Sequence, residues 1–269
     1  MGTKKKSPDI SKNTSRSTSG AVASNAGDDF HFQWGAQQLI SLLNTKTDLT
    51  AVSVEDPSSF DIEKYDASEL LAGDLYLYYG GSTFESCDKV ELQQLKYAVS
   101  PKDKTWTKAK LLNKVRGKSV WSKFASAYLE FEKKHGKSKT QDKFTIRLIS
   151  NFPVSNEIIT LVNLASEYVS TGNNLSRFNT KLSSAQKTLS NSLKGGTTIN
   201  TIKDFVLFLS SLKLDGKGSP SRLMQSLEAK VELNSYLTGF YEETFFKLVD
   251  LIRKMASPEG MEASHRSLK

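Results

Sequence analysis

Three residues near the middle of the chain have types and a spacing suited to chemistry on a phosphate group. Asp74 begins the stretch DLYLYY, and Gln94 and Lys96 lie in the stretch VELQQLKYAV. A carboxylate and an amide oxygen can bind a hard divalent cation. A lysine can orient an attacking water or neutralise charge that develops on a phosphate oxygen. Together these residue types favour a metal-dependent nuclease site.

Two predicted strands would bring these three side chains together. Residues 74–79 and 90–99 are rich in β-branched and aromatic residues, and Gly80-Gly81 with a loop separates them, which predicts an antiparallel hairpin. Because side chains alternate along a strand, Gln94 and Lys96 share one face. The start of one hairpin strand lies near the end of its partner, so we expect Asp74 close to both.

The residues alone leave an alternative open, in which Gln94 and Lys96 belong to a solvated strand face and Asp74 is a turn residue. The same (Glu/Gln)-x-Lys pattern occurs at Glu132/Lys134, Gln141/Lys143 and Glu228/Lys230. The pairs at 132 and 228 lie in predicted helices, where residues two apart do not face each other. The pair at 141 precedes a strand. The pair at 94 and 96 differs because it lies inside a predicted strand that comes after an acid-headed strand.

The elements around the hairpin predict an α/β protein with a small sheet. An amphipathic helix is expected to begin near Asp28-Asp29, and strands are expected at 49–54 and 144–150. We predict a disordered basic tail at 1–27, a core at 28–153, a helical accessory region at 154–257 and a C-terminal tail at 258–269. The predicted helices of the accessory region are 156–169, 176–193, 200–213, 222–233 and 239–255.

Composition narrows the classes of function. The chain has 269 residues, and 37 Lys and Arg against 29 Asp and Glu give a net charge of +8, which permits a polyanionic partner. One cysteine and three scattered histidines disfavour a zinc site. The apolar runs are too short for a membrane-spanning helix, and no Walker motif is present. We therefore expect a cytoplasmic protein that does not enter a membrane.

A basic stretch comes after the hairpin and is a candidate for phosphate contact. The candidate nucleic-acid-binding residues are Lys102, Lys104, Trp106, Lys108 and Lys110, and further cations lie at Lys114, Arg116 and Lys118. A solvated loop and helix face is the alternative reading. Tyr76, Tyr78, Tyr79 and Tyr97 are expected in the core, as strand aromatics usually are.

An acid, a hairpin and a (Glu/Gln)-x-Lys tripeptide in this order resemble the PD-(D/E)XK restriction-endonuclease-like superfamily. The phrases FHFQWGAQQLISLL, LTAVSVEDP, DLYLYYG, VELQQLKYAVS and KTWT resemble, in order, the nuclease domain of bacterial CD-NTase-associated dsDNA endonucleases, which act in anti-phage defence. RLISNFPV and LVDLIRKMASPEG are similar to later landmarks of these proteins. The longer phrases are specific, whereas QLK alone is not.

The resemblance implies a restriction-endonuclease-like core that cleaves double-stranded DNA with Mg²⁺ or Mn²⁺. Asp74 and Gln94 would bind the metal, with Lys96 as the catalytic lysine. Gln33 on the first helix matches a position that often completes the metal site in this superfamily, and Glu55 at the end of the first strand fits its acidic position there. The alternatives are that Gln33 caps or hydrogen-bonds within the fold and that Glu55 is an exposed carboxylate at a strand end. Relatives form oligomers or carry NTPase or sensor regions. The resemblance therefore implies two possible partners, a second copy of this chain and an NTPase or sensor region in a longer protein. The competing hypothesis is a catalytically inactive nucleic-acid-binding or scaffold domain of a larger NTPase-type defence protein.

Overall fold

A mixed β-sheet lies at the centre of the fold and carries the three candidate residues at one end. The structure, a computed structural model, describes residues 14–55, 73–98, 105–214, 222–256 and 267–268. The strands are β1 (Leu49–Val54), β2 (Leu75–Tyr79), β3 (Lys89–Lys96), β4 (Phe144–Ser150), β5 (Leu212–Leu214) and β6 (Ser267–Leu268). They are hydrogen-bonded in the order β5-β4-β3-β2-β1-β6. Pairing is antiparallel from β6 to β3 and parallel from β3 to β5, so the sheet changes its pairing at β3.

Helices flank the sheet. The α-helices are α1 (Thr14–Ser41), α2 (Lys108–Leu112), α3 (Val120–His135), α4 (Lys137–Lys143), α5 (Asn156–Ser170), α6 (Ser184–Gly195), α7 (Ile202–Ser210), α8 (Arg222–Tyr236) and α9 (Tyr241–Met255). A 3-10 helix spans Leu175–Lys181. Within the described ranges, no helix combines the length and the apolar character needed to cross a membrane.

Alternation along the strands separates two apolar layers. On one face, Tyr76 and Leu92 share a buried cluster with Trp121 and Phe124 of α3 and Phe208 of α7. On the other face, the cluster joins residues of β2 and β3 to α1 and α9, and it includes Phe30, Leu75, Leu77, Leu95 and Ile252. Each fully buried large apolar side chain contributes roughly 1.5–3 kcal/mol. These two layers fix which strand residues face α3 and which face α1.

The expected hairpin, the strands at 49–54 and 144–150, and the mixed α/β class are confirmed. The α5, α8 and α9 helices lie within three residues of their predicted bounds. The predicted start of the first helix, near Asp28-Asp29, was wrong. Helix α1 starts at Thr14 and so includes residues 14–27 of the expected tail. Residues 1–13 lie outside the described part of the chain, as do residue 257 and, from the expected C-terminal tail, residues 258–266 and 269.

Two of the helix predictions in the second half were wrong in detail. The expected helix 176–193 is divided, because the 3-10 helix ends before Ser183 caps a separate helix, α6. The expected helix 200–213 ends at Ser210, and Leu212–Leu214 forms β5. The Ile146 N–H donates to the Ser211 carbonyl at 2.9 Å, so pairing with β4 overrides the local helical pattern.

Candidate functional site

Asp74 and Gln94 contact each other at one end of the β2–β3 hairpin. The Asp74 N–H donates to the Gln93 carbonyl at 2.9 Å, which places Asp74 beside Gln94 just before β2 begins. Gln94 Nε2 and the Leu95 N–H both donate to Asp74 Oδ2. The hairpin register therefore holds this carboxylate against the C-terminal part of β3.

Lys96 shares the sheet face of Asp74 and Gln94. The even-numbered residues Tyr76 and Leu92 lie in the layer under α3, whereas the odd-numbered Leu75 and Leu95 lie in the layer under α1. Alternation thus directs position 96 toward α3. Lys96 is half-buried, lies two residues after Gln94 on β3 and lines a cavity.

Gln94 retains an acceptor that suits a cation. The side chain is 2% exposed, and its Oε1 atom is buried without a hydrogen-bond partner. Leaving such an acceptor unpaired costs about 1–3 kcal/mol, and a metal ion bound jointly with the Asp74 carboxylate would remove that cost. Oxygen ligands of this kind fit Mg²⁺, which usually keeps several waters and needs few protein ligands. Within the described residues, no three His, Cys, Asp or Glu side chains form a metal-binding group.

Glu55 and Gln33 are placed differently relative to this pair. The Glu55 N–H donates to the Asp74 carbonyl at 3.1 Å, so Glu55 lies at the same end of the sheet with an exposed side chain. Its φ of 61° turns the chain out of β1. Gln33 lies on α1, where neighbouring Trp34 donates to Gln93 Oε1 at 2.8 Å. Gln33 Oε1 is buried and unpaired, and a metal-binding role for Gln33 stays a prediction.

A cavity of about 730 Å³, which Lys96 helps to line, is rich in cations. The side chains that line it come from the end of β3, the segment before α2, α2 itself, the turn after α2 and the first half of α3. They are Lys96, Trp106, Lys110, Asn113, Val115, Arg116, Lys118, Val120, Lys123 and Ser126. Burial lowers the pKa of Lys123, and the positive charge of Lys96 lowers it further, while the Asp74 carboxylate opposes both effects. Lys123 therefore belongs electrostatically to the same site as Asp74 and Lys96.

The candidate nucleic-acid-binding residues fall into three groups. Lys102 and Lys104 lie outside the described residues. Lys110 lies in the cavity, with its ammonium 4.7 Å from the centre of the Trp106 ring, while Lys108 lies elsewhere on α2. Trp106 is 6% exposed, and its indole N–H donates to Ser150 Oγ at 2.8 Å. This burial suits Trp106 to supporting the cavity wall better than to stacking on a base.

Lys123 was not among the candidate site residues predicted from the sequence. It lies three residues after Val120 and four before Ala127, both of which mark the apolar face of α3. A lysine on the apolar face of an amphipathic helix is a signal that could have identified it. The predicted basic stretch ends at Lys118 and therefore leaves Lys123 out.

No protein-family model matches the chain, and no curated protein matches it.

Proposed function

We propose that the chain is a metal-dependent endonuclease domain that cleaves double-stranded DNA with Asp74, Gln94 and Lys96. The observation that carries the proposal is the buried, unpaired Gln94 Oε1 beside the Asp74 carboxylate, on the sheet face that Lys96 shares. An acceptor held in that position is costly unless a partner satisfies it, and a cation shared with the Asp74 carboxylate would do so. The basic cavity next to it supports a polyanionic substrate.

Asp74 and Gln94 would hold Mg²⁺ or Mn²⁺. The metal, when bound, polarises a phosphoryl oxygen and lowers the pKa of a bound water. Lys96 contributes a positive charge to the lining of the cavity, where it would neutralise charge that develops on the scissile phosphate. The β2–β3 hairpin positions Asp74 against Gln94, and the parallel pairing of β3 with β4, in which Lys96 is in register with Ser150, positions Lys96 before substrate arrives.

The resemblance to CD-NTase-associated dsDNA endonucleases supports a restriction-endonuclease-like core and a role in bacterial anti-phage defence. A small mixed sheet flanked by helices agrees with that core, as does the placement of Asp74 and Gln94 at one end of a hairpin. On the same ground we propose that activity responds to oligomerisation or to an NTPase or sensor partner.

The second candidate is a nucleic-acid-binding domain without catalytic activity. The specific observation in its favour is the donor set, because Asp74 supplies a carboxylate where Gln94 supplies only a neutral amide. A neutral ligand weakens the attraction for a divalent cation relative to a second carboxylate. The two candidates share the basic cavity and differ in whether phosphodiester bonds break.

The test is cleavage of a supercoiled plasmid with Mg²⁺ by the wild-type chain, Asp74→Asn and Lys96→Met. We expect nicked or linear product from the wild type and a loss of at least about 100-fold in rate from each variant, as removal of a transition-state charge contact typically produces. Lys203→Met is the matched control, because Lys203 is exposed on α7 and does not line the cavity. Equal rates for all four proteins would rule out the assigned site. DNA binding without cleavage would favour the second candidate.

A further inference from the structure

The cavity beside Asp74 brings together cations that are far apart in the sequence. Lys96 ends β3, Lys110 lies on α2, and Lys123 lies in the first turns of α3, while Arg116 and Lys118 come from the turn between the two helices. Among the described lining residues there is no carboxylate. We propose that this cavity is a phosphate subsite that binds the DNA backbone beside the scissile phosphate, with Lys123 as its central ligand. The subsite rests on the proposed DNA-cleaving function and extends it.

Charge and enclosure together point to a phosphate. Lys96 and Lys123 are close enough to repel each other, so the charge of Lys96 lowers the pKa of Lys123. The carboxylate of Asp74 is near enough to raise that pKa. In the described part of the chain, no salt bridge joins Lys96 or Lys123 to a carboxylate. Repulsion between half-buried ammonium groups raises the free energy of the empty cavity. A phosphate group bound between the two ammonium groups attracts both of them and so offsets their repulsion. The low dielectric constant inside the cavity strengthens this attraction.

The backbone holds this arrangement with little freedom. The N–H and carbonyl groups of Val115 and Lys118 exchange hydrogen bonds of 2.9 and 3.3 Å, and Arg116 and Gly117 between them have φ values of 52° and 82°. Two consecutive positive φ angles make a two-residue turn that matches the twist of a hairpin. Arg116 and Lys118 are thereby presented from a rigid turn rather than from a loose loop.

Helix α3 continues directly from that turn. Ser119 is 2% exposed and forms a capping box with Ser122, in which Ser119 Oγ accepts from the Ser122 N–H at 3.0 Å and Ser122 Oγ accepts from the Ser119 N–H at 2.9 Å. The Lys123 N–H then donates to the Ser119 carbonyl at 3.0 Å. The cap thus sets the position of Lys123 relative to Lys118. The Lys123 side chain is therefore presented to the cavity from a fixed backbone position.

The test is binding of a fluorescent DNA duplex in EDTA, where cleavage cannot occur, measured by anisotropy across a range of salt concentrations. Lys123→Met should weaken binding and reduce the slope of log affinity against log salt by about 1, because one phosphate contact is lost. Lys123→Arg should retain the slope, since the charge is kept. Lys203→Met on α7 should bind like the wild type.

A second variant keeps the proposal testable if Lys123→Met fails to fold. Arg116→Asn removes a cavity charge but tolerates the left-handed backbone at this position, because Asn adopts positive φ more readily than most residues. It should lower the salt slope in the same way. Wild-type affinity and slope in folded Lys123→Met, or in Arg116→Asn where Lys123→Met does not fold, would overturn the subsite.

Failure of the subsite and failure of the nuclease assignment are separable. If the wild type binds the duplex but does not cleave it, and Lys123→Met still lowers the salt slope, the subsite stands and the nuclease assignment falls. If the wild type cleaves plasmid and Lys123→Met changes neither the slope nor the KM for DNA, the nuclease assignment stands and the subsite falls.

Discussion

Gln94 combines two roles that a carboxylate at the same position could not combine. Its amide N–H donates to Asp74, which satisfies that carboxylate without a metal, and its carbonyl oxygen stays buried and available. A glutamate there would place two negative charges side by side and would depend on a cation to separate them. The amide therefore allows the site to be folded and partly satisfied before any metal binds.

Gln94→Glu should make the stability of the protein depend on metal. In EDTA at pH 8 the two carboxylates repel each other, so we expect a lower Tm than that of the wild type. Repulsion raises the pKa of one carboxyl in the folded state above its unfolded value, so the loss should shrink as the pH falls toward 5. Mg²⁺ or Mn²⁺ should restore the Tm by more than it stabilises the wild type, because two carboxylates bind the cation more tightly.

The matched control is Gln93→Glu, one residue earlier on the opposite face. Gln93 is 3% exposed, and its amide donates to Glu91 Oε1 at 2.9 Å, so this change also creates a buried carboxylate pair, in this case beside the Lys89 and Arg147 cations that pair with Glu91. It should destabilise the protein in EDTA, but metal should not restore its Tm. Restoration of both variants by metal, or of neither, would contradict the assignment of the cation to the Asp74 face.

At the scale of elements, the start of α3 connects the stability of a helix to the geometry of the cavity. The capping box of Ser119 and Ser122 begins α3, and Ser183 and Gln186 form a second capping box that begins α6. The two caps have the same chemistry. They differ in the helix that each begins, because α3 carries Lys123 into the cavity and α6 contributes no residue to the cavity lining.

Ser119→Ala and Ser183→Ala should each lower the free energy of unfolding by about 1 kcal/mol, the usual cost of losing an N-cap. Chemical denaturation measures that change. Only Ser119→Ala should also weaken duplex binding in EDTA, because the first turn of α3 is then less firmly held. Equal effects of the two variants on DNA binding would show that the cap does not position the cavity.

At the scale of the whole molecule, one apolar layer draws on both halves of the chain. Trp121 of α3 contacts Phe208 of α7 with ring centroids 5.3 Å apart, and Tyr128 contacts the same ring at 5.8 Å. All three side chains are less than 2% exposed. The Trp121 indole N–H also donates to the Leu193 carbonyl at 2.9 Å. Helices of the second half thus complete the layer that lies over the candidate site.

Phe208→Ala should therefore destabilise the molecule as a unit, by about 3–5 kcal/mol. Tryptophan fluorescence and far-UV circular dichroism should report one coincident transition in denaturant, shifted to a lower midpoint. Phe246→Ala is the control, since Phe246 is 60% exposed and its loss should have little effect. Two separate transitions would instead support the predicted boundary near residue 153.

Local patterns predicted the hairpin and its three candidate residues, because strand alternation and a glycine turn act between neighbours in the chain. They did not predict β5, whose Leu212–Leu214 segment is recruited by distant β4. Lys123 was missed for a related reason. The pairing of β3 with β4 brings the helix that carries Lys123 over Asp74. Helical spacing in the sequence shows only that Lys123 lies near the apolar side of that helix.

The change from antiparallel to parallel pairing at β3 has a consequence for the order in which the site assembles. The β2–β3 hairpin closes over a short stretch of chain, whereas pairing of Val90 with Phe144 must first close a long loop. Contacts between near neighbours form faster than distant ones. We therefore expect the Asp74–Gln94 contact to form early in folding and Lys123 to arrive with β4. Until that late step the nascent chain holds the proposed metal ligands without the proposed phosphate subsite, so we expect a partly folded protein to bind DNA poorly.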